Sequence, residues 1–572
     1  MANFYTDIRE IKFELENSPL MQRIVELKEQ GYADKDTHDY APHDYADAMD
    51  SYDRLLDIVG DIMANVVWPN AEAVDAEGAH CENGRVRYAS KTYENLQAVN
   101  QAGLTGMTMP RRYGGLNLPV TVYTAANEIV ARADAGFQNI WSLQDCIETL
   151  YCFGTEEQRQ KYIPRVCAGE TMSMDLTEPD AGSDLQSVML KATYDEENQC
   201  WRLNGSKRFI TNGDSDIHLV LARSEAGTRD GRGLSMFIYD KRDGGVDVRR
   251  IENKMGIHGS PTCELVYKNA KCELCGDRKL GLIKYVMSLM NGARLGIAAQ
   301  SVGLSQAAYE EAVAYARDRK QFGKAIIEFP AVAEMIANIK ARLDAGRALL
   351  YQTARYVDIY KNLEEISRER KLTAEERQEL KQYSRLADAF TPLAKGMNSE
   401  YANQNAYDCI QVHGGSGFML EYACQRLYRD ARIMNIYEGS TQMQTVAAIR
   451  YVTNGMYATV IQDMERQAMM AGLEGDYTLR RLKEMASKFN ACTAAVKEAA
   501  DQDFHDLSAR HLYEMAGNII MCHLLLLNTV KNTELFGRSL QVYVNIADAE
   551  VEKQFNWIRK MTPDKVDYYR QA

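Results

Sequence analysis

The stretch CWRLNGSKRFITNGDSDIHLVLARS, residues 200–224, differs in texture from the sequence on either side of it. Its apolar and polar residues alternate, and two Asn-Gly pairs mark turns. The segments GLSMFIYD (233–240) and CELVYKNAKC (263–272) continue the same strand pattern. We therefore predict a β domain over residues 172–279.

The sequence before and after this β domain has helical spacing. YDRLLDIVGDIMANVV (52–67) repeats apolar residues at intervals of three and four, and helical texture returns after Leu280. EEQRQKYIPRV (156–166) predicts a short helix that ends near Pro164. The charged stretch at 362–383 predicts an exposed loop or the tip of a helical hairpin.

The chain is too long for one core and is predicted to be mainly α with an inserted β domain. We divide it into five segments: an N-terminal lead-in over 1–48, a helical domain over 49–171, the β domain over 172–279, a helical bundle over 280–450, and an additional helical domain over 451–572.

Composition excludes several classes of function. The formal net charge of −13 disfavours binding to nucleic acid or to an anionic membrane through bulk electrostatics. Twelve scattered cysteines indicate reduced thiols in a cytoplasmic protein. The N-terminus lacks the apolar core of a signal peptide, and the longest apolar run, IIMCHLLLLNTV (519–530), is too short to span a membrane.

Motifs for several common chemistries are absent. The sequence contains no G-x-S-x-G nucleophile elbow, phosphate-binding loop, G-x-G-x-x-G following a strand, or H-E-x-x-H zinc site. HGGSG at His413 is similar to an esterase oxyanion loop but lacks that nucleophile. The CELC pair, Cys272 and Cys275, has no second pair with which to bind zinc, so we expect two thiols in the connection leaving the β domain and no metal site.

One carboxylate stands out. Glu438 lies between a tyrosine and a glycine in RDARIMNIYEGSTQMQ (429–444), and its near neighbours are uncharged. A carboxylate in an apolar pocket has a raised pKa and can act as a base, whereas a glutamate on an exposed loop would have no such role.

Six segments, in order along the chain, resemble the acyl-CoA dehydrogenase family of flavoproteins over roughly residues 50–450. They are LTGMTMPRRYGG (104–115), DLTEPDAGSD (175–184), NGSKRFITNG (204–213), ARDRKQFGK (316–324), QVHGGSGF (411–418) and RDARIMNIYEGSTQMQ (429–444). The resemblance implies a helical N-terminal domain, a β-barrel-like middle domain and a C-terminal four-helix bundle, with FAD held between them. The residues after 451 resemble the extra helical domain of the longer members.

The resemblance also implies an activity, the removal of two hydrogens from the α and β carbons of an acyl-CoA. Glu438 corresponds to the base that takes the α proton, and Gly439 allows backbone to approach the substrate closely. Some relatives carry the base just before an arginine on an earlier helix, but here Ala293 precedes Arg294. Desolvation would raise the pKa of Glu438 from the ordinary value of about 4.3.

Further site residues are carried over from the family. Ser183 is expected to touch both the flavin and the CoA arm, and Asn291 and Arg294 to line the thioester pocket. Arg319 and Phe322 are expected on one side of a helix end, where they reach the FAD of a neighbouring subunit and imply a homodimer or homotetramer. The expected FAD contacts are Leu176, Thr177, Ser183, Phe209, Thr211, Arg319, Phe322, Gln411, Gly414, Gly415, Ser440 and Gln442.

We therefore expect an FAD-dependent acyl-CoA dehydrogenase that passes electrons to electron-transfer flavoprotein. An acyl-CoA oxidase that uses oxygen, and a flavin-binding scaffold without activity, are the two alternatives. The intact Glu438 argues against the scaffold. The sequence does not define the acyl chain.

Overall fold

The computed structural model describes residues 2–570 and divides into two compact units. Unit 1 comprises the residues up to Arg9 together with Leu20–Gly303. Unit 2 comprises Glu10–Pro19 together with the residues from Leu304 onward. The N-terminal segment therefore contributes to both units.

The first part of the chain is helical, as its apolar spacing predicts. Asp44 and Thr155 begin the third and ninth helices by accepting hydrogen bonds from backbone N–H groups of the first turn. The nine helices in this part are α1 (Arg9–Glu16), α2 (Met21–Lys28), α3 (Tyr45–Ile62), α4 (Trp68–Glu77), α5 (Ser90–Gln101), α6 (Val120–Ala133), α7 (Ala135–Trp141), α8 (Ile147–Phe153) and α9 (Glu156–Cys167).

Unit 1 contains nine strands. Two short ones, β1 (His80–Glu82) and β2 (Arg85–Arg87), form a hairpin within the helical region that the sequence did not predict. The seven others form one sheet: β3 (Met172–Asp175), β4 (Lys191–Asp195), β5 (Cys200–Thr211), β6 (Ile217–Arg223), β7 (Leu234–Asp240), β8 (Val246–Ile251) and β9 (Thr262–Cys275).

This sheet closes on itself. The pairing runs β6-β4-β5-β9-β7 and returns through β7 to β6, while β3 and β8 attach to β6 and β9. All seven residues of β6 and of β7 are buried, because the two strands are covered on both faces. One face packs with α8 and α9 residues such as Leu150, and the other, through Phe237, fills the barrel with Leu203 and Leu265.

The remaining helices follow the β domain, and α10 crosses from unit 1 to unit 2. A two-residue-strand hairpin, β10 (Lys320–Gln321) and β11 (Lys324–Ala325), follows α10. The helices are α10 (Met287–Asp318), α11 (Pro330–Glu369), α12 (Ala374–His413), α13 (Ala423–Met434), α14 (Thr441–Thr453), α15 (Met456–Ala468), α16 (Tyr477–Glu498), α17 (Gln502–Lys531) and α18 (Thr533–Lys560).

The predicted fold class is confirmed: helices, an inserted barrel-like β domain, a helical bundle and additional C-terminal helices follow in that order. The charged stretch at 362–383 is the tip of the α11–α12 hairpin, where Thr373 caps α12. Helix α9 continues past Pro164 to Cys167, so the predicted end was too early.

The CELC thiols were also misplaced. Cys272 and Cys275 lie within β9 and are buried, rather than lying in the connection after the β domain. Burial raises the pKa of both thiols, which keeps them protonated. Within residues 2–570, no group of three or more His, Cys, Asp or Glu side chains could hold a metal ion.

None of the helices within residues 2–570 combines the length and apolar character needed to cross a membrane.

Candidate active site

Glu438 lies in a short loop, residues 435–440, between α13 and α14; we call it the catalytic loop. Glu438 has φ 54° and Gly439 has φ 85°, so two successive residues adopt the left-handed conformation. This conformation is costly for a glutamate and is retained only where the surroundings enforce it. Ser440 ends the loop by capping α14, its Oγ accepting from Met443 N at 3.5 Å.

Two buried side chains donate hydrogen bonds to backbone carbonyl oxygens of the catalytic loop. The Lys395 Nζ donates to the Gly439 carbonyl oxygen at 2.7 Å. The Gln444 Nε2 donates to the same oxygen at 2.8 Å and to the Glu438 carbonyl oxygen at 3.3 Å. Because both carbonyl groups are directed toward α12 and α14, the backbone is fixed independently of the Glu438 carboxylate.

The two ends of the catalytic loop share a third partner. The Glu400 Oε1 accepts from Thr441 Oγ1 at 2.5 Å and from Asn435 Nδ2 at 3.2 Å. Neither Lys395, Glu400 nor Gln444 was predicted as a site residue. Lys395 and Glu400 are separated from the loop by about forty residues along the chain, and their spacing within α12 carries no distinctive motif.

The predicted glycines lie at the C-terminal end of α12. Gly414 terminates the helix with φ 60°, a conformation that glycine adopts without strain. A Cβ added at Gly414 or Gly415 would meet no atom within 4 Å, so both present open backbone. Gln411 is exposed one turn earlier on the same helix.

His413, which precedes these glycines, packs within the helical bundle and is not part of an oxyanion loop. Its ring is buried and stacks on Tyr315 with ring centres 4.2 Å apart. Its Nδ1 bonds the Cys409 carbonyl oxygen at 2.8 Å, one turn back in α12. The Tyr315 hydroxyl bonds Ser416 at 3.1 Å, which fixes the glycine segment to α10.

Arg319 and Phe322 occupy the β10–β11 hairpin, and they do not share one side of a helix end as predicted. Helix α10 stops at Asp318, before Arg319. Phe322 sits at the hairpin turn with φ 50°, and 94% of it is exposed. Arg319 is exposed as well. Phe322 is presented at the turn, where its ring packs edge-on against Phe329 with ring centres 6.2 Å apart, and Arg319 lies just before β10.

The flavin segment predicted in unit 1 follows β3. The Lys207 Nζ donates to the Leu176 carbonyl oxygen at 2.8 Å, and the Arg208 N–H donates to the Thr177 carbonyl oxygen at 3.0 Å. Lys207 is wholly buried and pairs with Glu178 at 2.9 Å. Burial lowers the pKa of Lys207 to about 8. Lys207 and Glu178 are a second support that the motif reasoning missed.

Phe209 and Thr211 lie on β5 next to this segment. The register against β9 shifts between Lys207 and Ile210, which indicates a bulge. Phe209 lies in this bulge with φ 61°, and 51% of it is exposed. Ile210 between them is buried, whereas Phe209 is exposed and Thr211 half-buried, and the shared face of Phe209 and Thr211 stays a prediction. Ser183, in the loop after β3, is exposed.

Asn291 and Arg294 form a pair on α10. The Arg294 Nη1 donates to Asn291 Oδ1 at 3.2 Å, and both side chains are half-buried. The residue before Arg294 is Ala293, which has no carboxylate that could act as a base. In unit 1 the structure thus gathers Leu176, Thr177 and the 207–209 strand, and in unit 2 it gathers the catalytic loop with α12 and α14.

Four domain descriptions of one family match the chain in succession. The acyl-CoA dehydrogenase N-terminal domain matches residues 50–170, the middle domain 173–270, the C-terminal domain 283–452, and a further acyl-CoA dehydrogenase C-terminal domain 453–566.

Individual proteins support the same relationship. The chain is 31% identical to 3-methylmercaptopropionyl-CoA dehydrogenase of Ruegeria pomeroyi, across 80% of this chain and 81% of that protein. It is 34% identical to 3-(aryl)acrylate reductase of Clostridium sporogenes, across 61% of this chain and 88% of that protein.

A solved structure shows the same fold over most of the chain. The acyl-CoA dehydrogenase complexed with FAD from Bacillus anthracis superposes with a TM-score of 0.74, at 24% identity, across 91% of this chain and 90% of that one. The sequence matches, the order of domains and the fold lead to one conclusion: the chain belongs to the acyl-CoA dehydrogenase family and is an oxidoreductase.

Proposed function

We propose that the protein removes the α and β hydrogens of an acyl-CoA thioester with FAD as cofactor, giving the trans-2-enoyl-CoA. The observation that carries this proposal is the catalytic loop, in which Glu438 sits in a strained backbone conformation supported by Lys395, Gln444 and Glu400. Strain of this kind is typical of functional sites.

Glu438 is the proposed base. The α C–H of a thioester is a weak acid, so the base must be close to it and poorly hydrated. The hydrogen bonds to the Gly439 and Glu438 carbonyl oxygens fix the backbone from which the Glu438 side chain extends. Less conformational entropy is therefore lost when the carboxylate reaches the α carbon of the substrate.

The thioester carbonyl needs hydrogen-bond donors to stabilise the charge that develops on its oxygen. The carbonyl oxygens of Glu438 and Gly439 are already engaged on one side of the loop. We propose that the backbone N–H of Glu438, the base residue, donates to the thioester carbonyl oxygen. Gly439 adds no side chain that could obstruct the substrate, and we propose that Asn291, Arg294 and Ser183 contact the CoA portion.

The residues present fit FAD. Gly414 and Gly415 present open backbone where a methyl group would occupy the approach, as expected for contact with a dinucleotide. Exposed aromatic rings at Phe209 and Phe322 offer stacking surfaces. When bound, FAD supplies the acceptor for the β hydrogen, which leaves with its electron pair.

We assign the remaining cofactor contacts by the family pattern. Arg319 would neutralise the pyrophosphate of FAD in a neighbouring subunit, which requires a homodimer or homotetramer. Lys207 and Arg208 bond the Leu176 and Thr177 carbonyl oxygens, and we propose that the other groups of that segment would contact the flavin ring. The other proposed contacts are Ser183, Thr211, Gln411, Ser440 and Gln442.

Electron-transfer flavoprotein is the proposed acceptor, and the proposed compartment is the cytoplasm. All twelve cysteines are free thiols, which suits a reducing environment. We also retain the five-segment division of the chain at 48, 171, 279 and 450 as a working proposal.

The substrate class can be tested directly with a series of acyl-CoAs. We expect anaerobic acyl-CoA to bleach the absorbance of the bound flavin, with the rate depending on chain length and on a thioether in the chain. A relative that acts on 3-methylmercaptopropionyl-CoA motivates the thioether member of the series. Transfer to electron-transfer flavoprotein without peroxide supports a dehydrogenase, whereas stoichiometric peroxide in air would identify an oxidase. No bleaching with any member would favour the non-catalytic scaffold.

The base assignment has its own test, the Glu438→Gln variant. We expect it to retain FAD and bind acyl-CoA but to reduce the flavin at least about 1,000-fold more slowly, because an amide cannot accept the α proton. Glu474→Gln, an exposed glutamate between α15 and α16, is the matched control and should react at the wild-type rate. Substantial bleaching by Glu438→Gln would refute the assignment.

A further inference from the structure

The C-terminal helices α15–α18 contact the same segment of α12 that supports the catalytic loop. All of the residues concerned belong to unit 2. Glu400 of α12 holds both ends of the loop through Thr441 and Asn435.

Arg510 of α17 is the partner of Glu400. Its Nη2 lies 3.7 Å from the same Glu400 Oε1 that accepts from Thr441 and Asn435. At this distance the two groups form an ion pair but no direct hydrogen bond. Both side chains are about one-third exposed. Although burial opposes the charge, the Glu514 and Glu400 carboxylates raise the pKa of Arg510 above its ordinary value. Arg510 therefore supplies a permanent positive charge beside Glu400.

Arg510 is itself fixed by a chain of hydrogen bonds among the C-terminal helices. Its Nε donates to Glu514 Oε1 at 2.5 Å. The other oxygen of Glu514 accepts from Gln554 Nε2 of α18 at 2.5 Å, and the Gln554 Oε1 lies 2.5 Å from His511 Nδ1. The Gln554 amide must face Glu514 with its nitrogen, because the reverse orientation would place two acceptors together. His511 Nδ1–H is then the donor to Gln554.

An aromatic stack ends this chain. The His511 ring lies on Trp557 with ring centres 3.6 Å apart and planes 17° apart. Burial lowers the pKa of His511, so it is neutral at physiological pH and has a proton on Nδ1 to donate. We call the series His511, Gln554, Glu514, Arg510 the polar relay; Glu514 accepts from both Gln554 and Arg510, and this holds the Arg510 guanidinium in place beside Glu400.

A second set of contacts fixes α12 two to three turns before Glu400. Pro392 lies inside α12 and has no N–H to donate to the Asp388 carbonyl oxygen, one turn back. The Tyr457 hydroxyl of α15 donates to the Ala389 carbonyl oxygen at 2.6 Å. The Tyr513 hydroxyl of α17 donates to the Pro392 carbonyl oxygen at 3.0 Å. The C-terminal helices thus add hydrogen bonds to α12 before its proline and at the proline itself.

We propose that Arg510 and Glu400 are positioning residues for Glu438, and that the C-terminal helices serve to hold the catalytic loop in its reactive geometry. The proposal rests on the function proposed above. Without Arg510, the Glu400 carboxylate is free to turn toward water, and Thr441 and Asn435 lose a fixed acceptor. The loop would then sample other conformations, and the carboxylate of Glu438 would spend less time at the α carbon.

The test uses the full-length, FAD-loaded protein and two measurements. The first is exchange of the α proton with deuterium from solvent in a thioether acyl-CoA, in which sulfur replaces the β carbon, so that proton removal is observed without flavin reduction. The second is the rate constant of flavin reduction at saturating acyl-CoA, together with KM. Arg510→Gln, Glu400→Gln and the double variant are compared with wild type.

We expect Arg510→Gln to slow both α-proton exchange and flavin reduction about 10-fold with KM little changed, since a loss of positioning of this kind costs up to about 100-fold. Glu400→Gln should cost at least as much. The double variant should be no slower than Glu400→Gln, because Arg510 acts through Glu400. Arg510→Lys keeps the charge and should recover part of the rate.

Arg481→Gln is the matched control. Arg481 is an arginine of α16 that pairs with Asp548 of α18 at 2.7 Å, outside the polar relay. Its loss should lower thermal stability about as much as Arg510→Gln does but leave α-proton exchange unchanged. Wild-type exchange in Arg510→Gln and Glu400→Gln would overturn the inference, as would equal slowing in Arg481→Gln. Exchange that persists in Glu438→Gln would instead remove the base assignment, and the inference with it.

Discussion

At the scale of single residues, the site depends on residues whose backbone has a positive φ. Glu438 and Gly439 are both left-handed, and Gly414 at the end of α12 also has a positive φ. For Glu438 this conformation is a cost that Lys395 and Gln444 offset by holding the neighbouring carbonyl oxygens. For Gly414 it costs nothing, and the absence of a side chain leaves space for a ligand.

The Gly414→Ala variant tests both roles of this glycine, its strain-free backbone conformation and the space it leaves for FAD. We expect the FAD dissociation constant to rise about 10-fold, because a methyl group would occupy the approach to the dinucleotide. We also expect a loss of about 1–3 kcal/mol in stability, because Gly414 combines a positive φ with ψ −136°, a conformation open almost only to glycine. FAD affinity is measured by fluorescence titration of the protein freed of flavin, and stability by urea unfolding.

Gly472→Ala provides the comparison. Gly472 has φ 88°, and a Cβ added there would also meet no atom within 4 Å, but it lies in the C-terminal helices between α15 and α16. Its left-handed backbone should make alanine cost about 1–2 kcal/mol in stability, with unchanged FAD affinity. Equal loss of FAD affinity in both variants would mean that Gly414 acts through stability alone.

At the scale of elements, α17 carries a buried ionisable group with a specific consequence for acid stability. His523 is fully buried, its Nδ1 donates to the Ile519 carbonyl oxygen at 2.8 Å, and its Nε2 has no hydrogen-bond partner. Burial lowers the pKa of His523 to about 4. The folded state therefore keeps His523 neutral at pH values where the unfolded chain protonates it.

The sign of the pH effect follows from that difference. Between about pH 6.5 and 4 the unfolded state binds one more proton than the folded state at this site, so stability falls as pH falls. The loss is about 3 kcal/mol, at 1.36 kcal/mol for each unit of pKa. His523→Leu should remove this part of the acid sensitivity, which is measured as the difference between urea unfolding at pH 7 and at pH 4.5. Identical pH dependence in wild type and variant would contradict the assignment.

Element types could be predicted from local patterns, but several positions could not. Alternation and Asn-Gly turns gave the β domain, because β-strand side chains alternate between two faces. The β1–β2 hairpin, with strands of three residues, is too short to show alternation. The bulge at Phe209 and the hairpin at Phe322 depend on left-handed backbone at non-glycine residues, which no residue spacing indicates.

In the site, too, residues in local motifs could be predicted, whereas contacts made by tertiary packing could not. Glu438, the glycines and the flavin segment lie in contiguous motifs, so the family pattern reached them. The supporting contacts join separate segments: Lys207 and Glu178 lie in two of the quoted motifs but are 29 residues apart, and Arg510 and Glu400, which are 110 apart, lie in none of them. Such pairs are created by tertiary packing, and a single sequence carries no signal that joins them.

At the scale of the whole molecule, the N-terminal segment is divided between the two units. Residues up to Arg9 belong to unit 1, Glu10–Pro19 to unit 2, and the chain returns to unit 1 at Leu20. The segment predicted as a lead-in over 1–48 is thus an integral part of both units. Within unit 2, Phe13 packs edge-on against Phe536 with ring centres 4.8 Å apart.

Glu14 is the residue that fixes this segment within unit 2. Its carboxylate accepts from Arg355 Nη2 at 2.6 Å and from Asn528 Nδ2 at 2.7 Å, and Arg355 also donates to the Glu14 carbonyl oxygen. Only 3% of the Glu14 side chain and 6% of the Arg355 side chain are exposed. Removing one member of such a pair is far more costly than removing both, because it leaves a buried charge without its counter-ion.

Arg355→Met should therefore destabilise the protein by about 3–5 kcal/mol, and Glu14→Gln added to it should recover most of that loss. Hydrogen exchange in α1 should increase in Arg355→Met, since the segment 10–19 loses its anchor in unit 2. Arg54→Met, which breaks the exposed pair with Asp50 in unit 1, should cost no more than about 1 kcal/mol. If the double variant is as unstable as Arg355→Met, the cost comes from lost packing around Arg355 and the buried charge of Glu14 has little part in it.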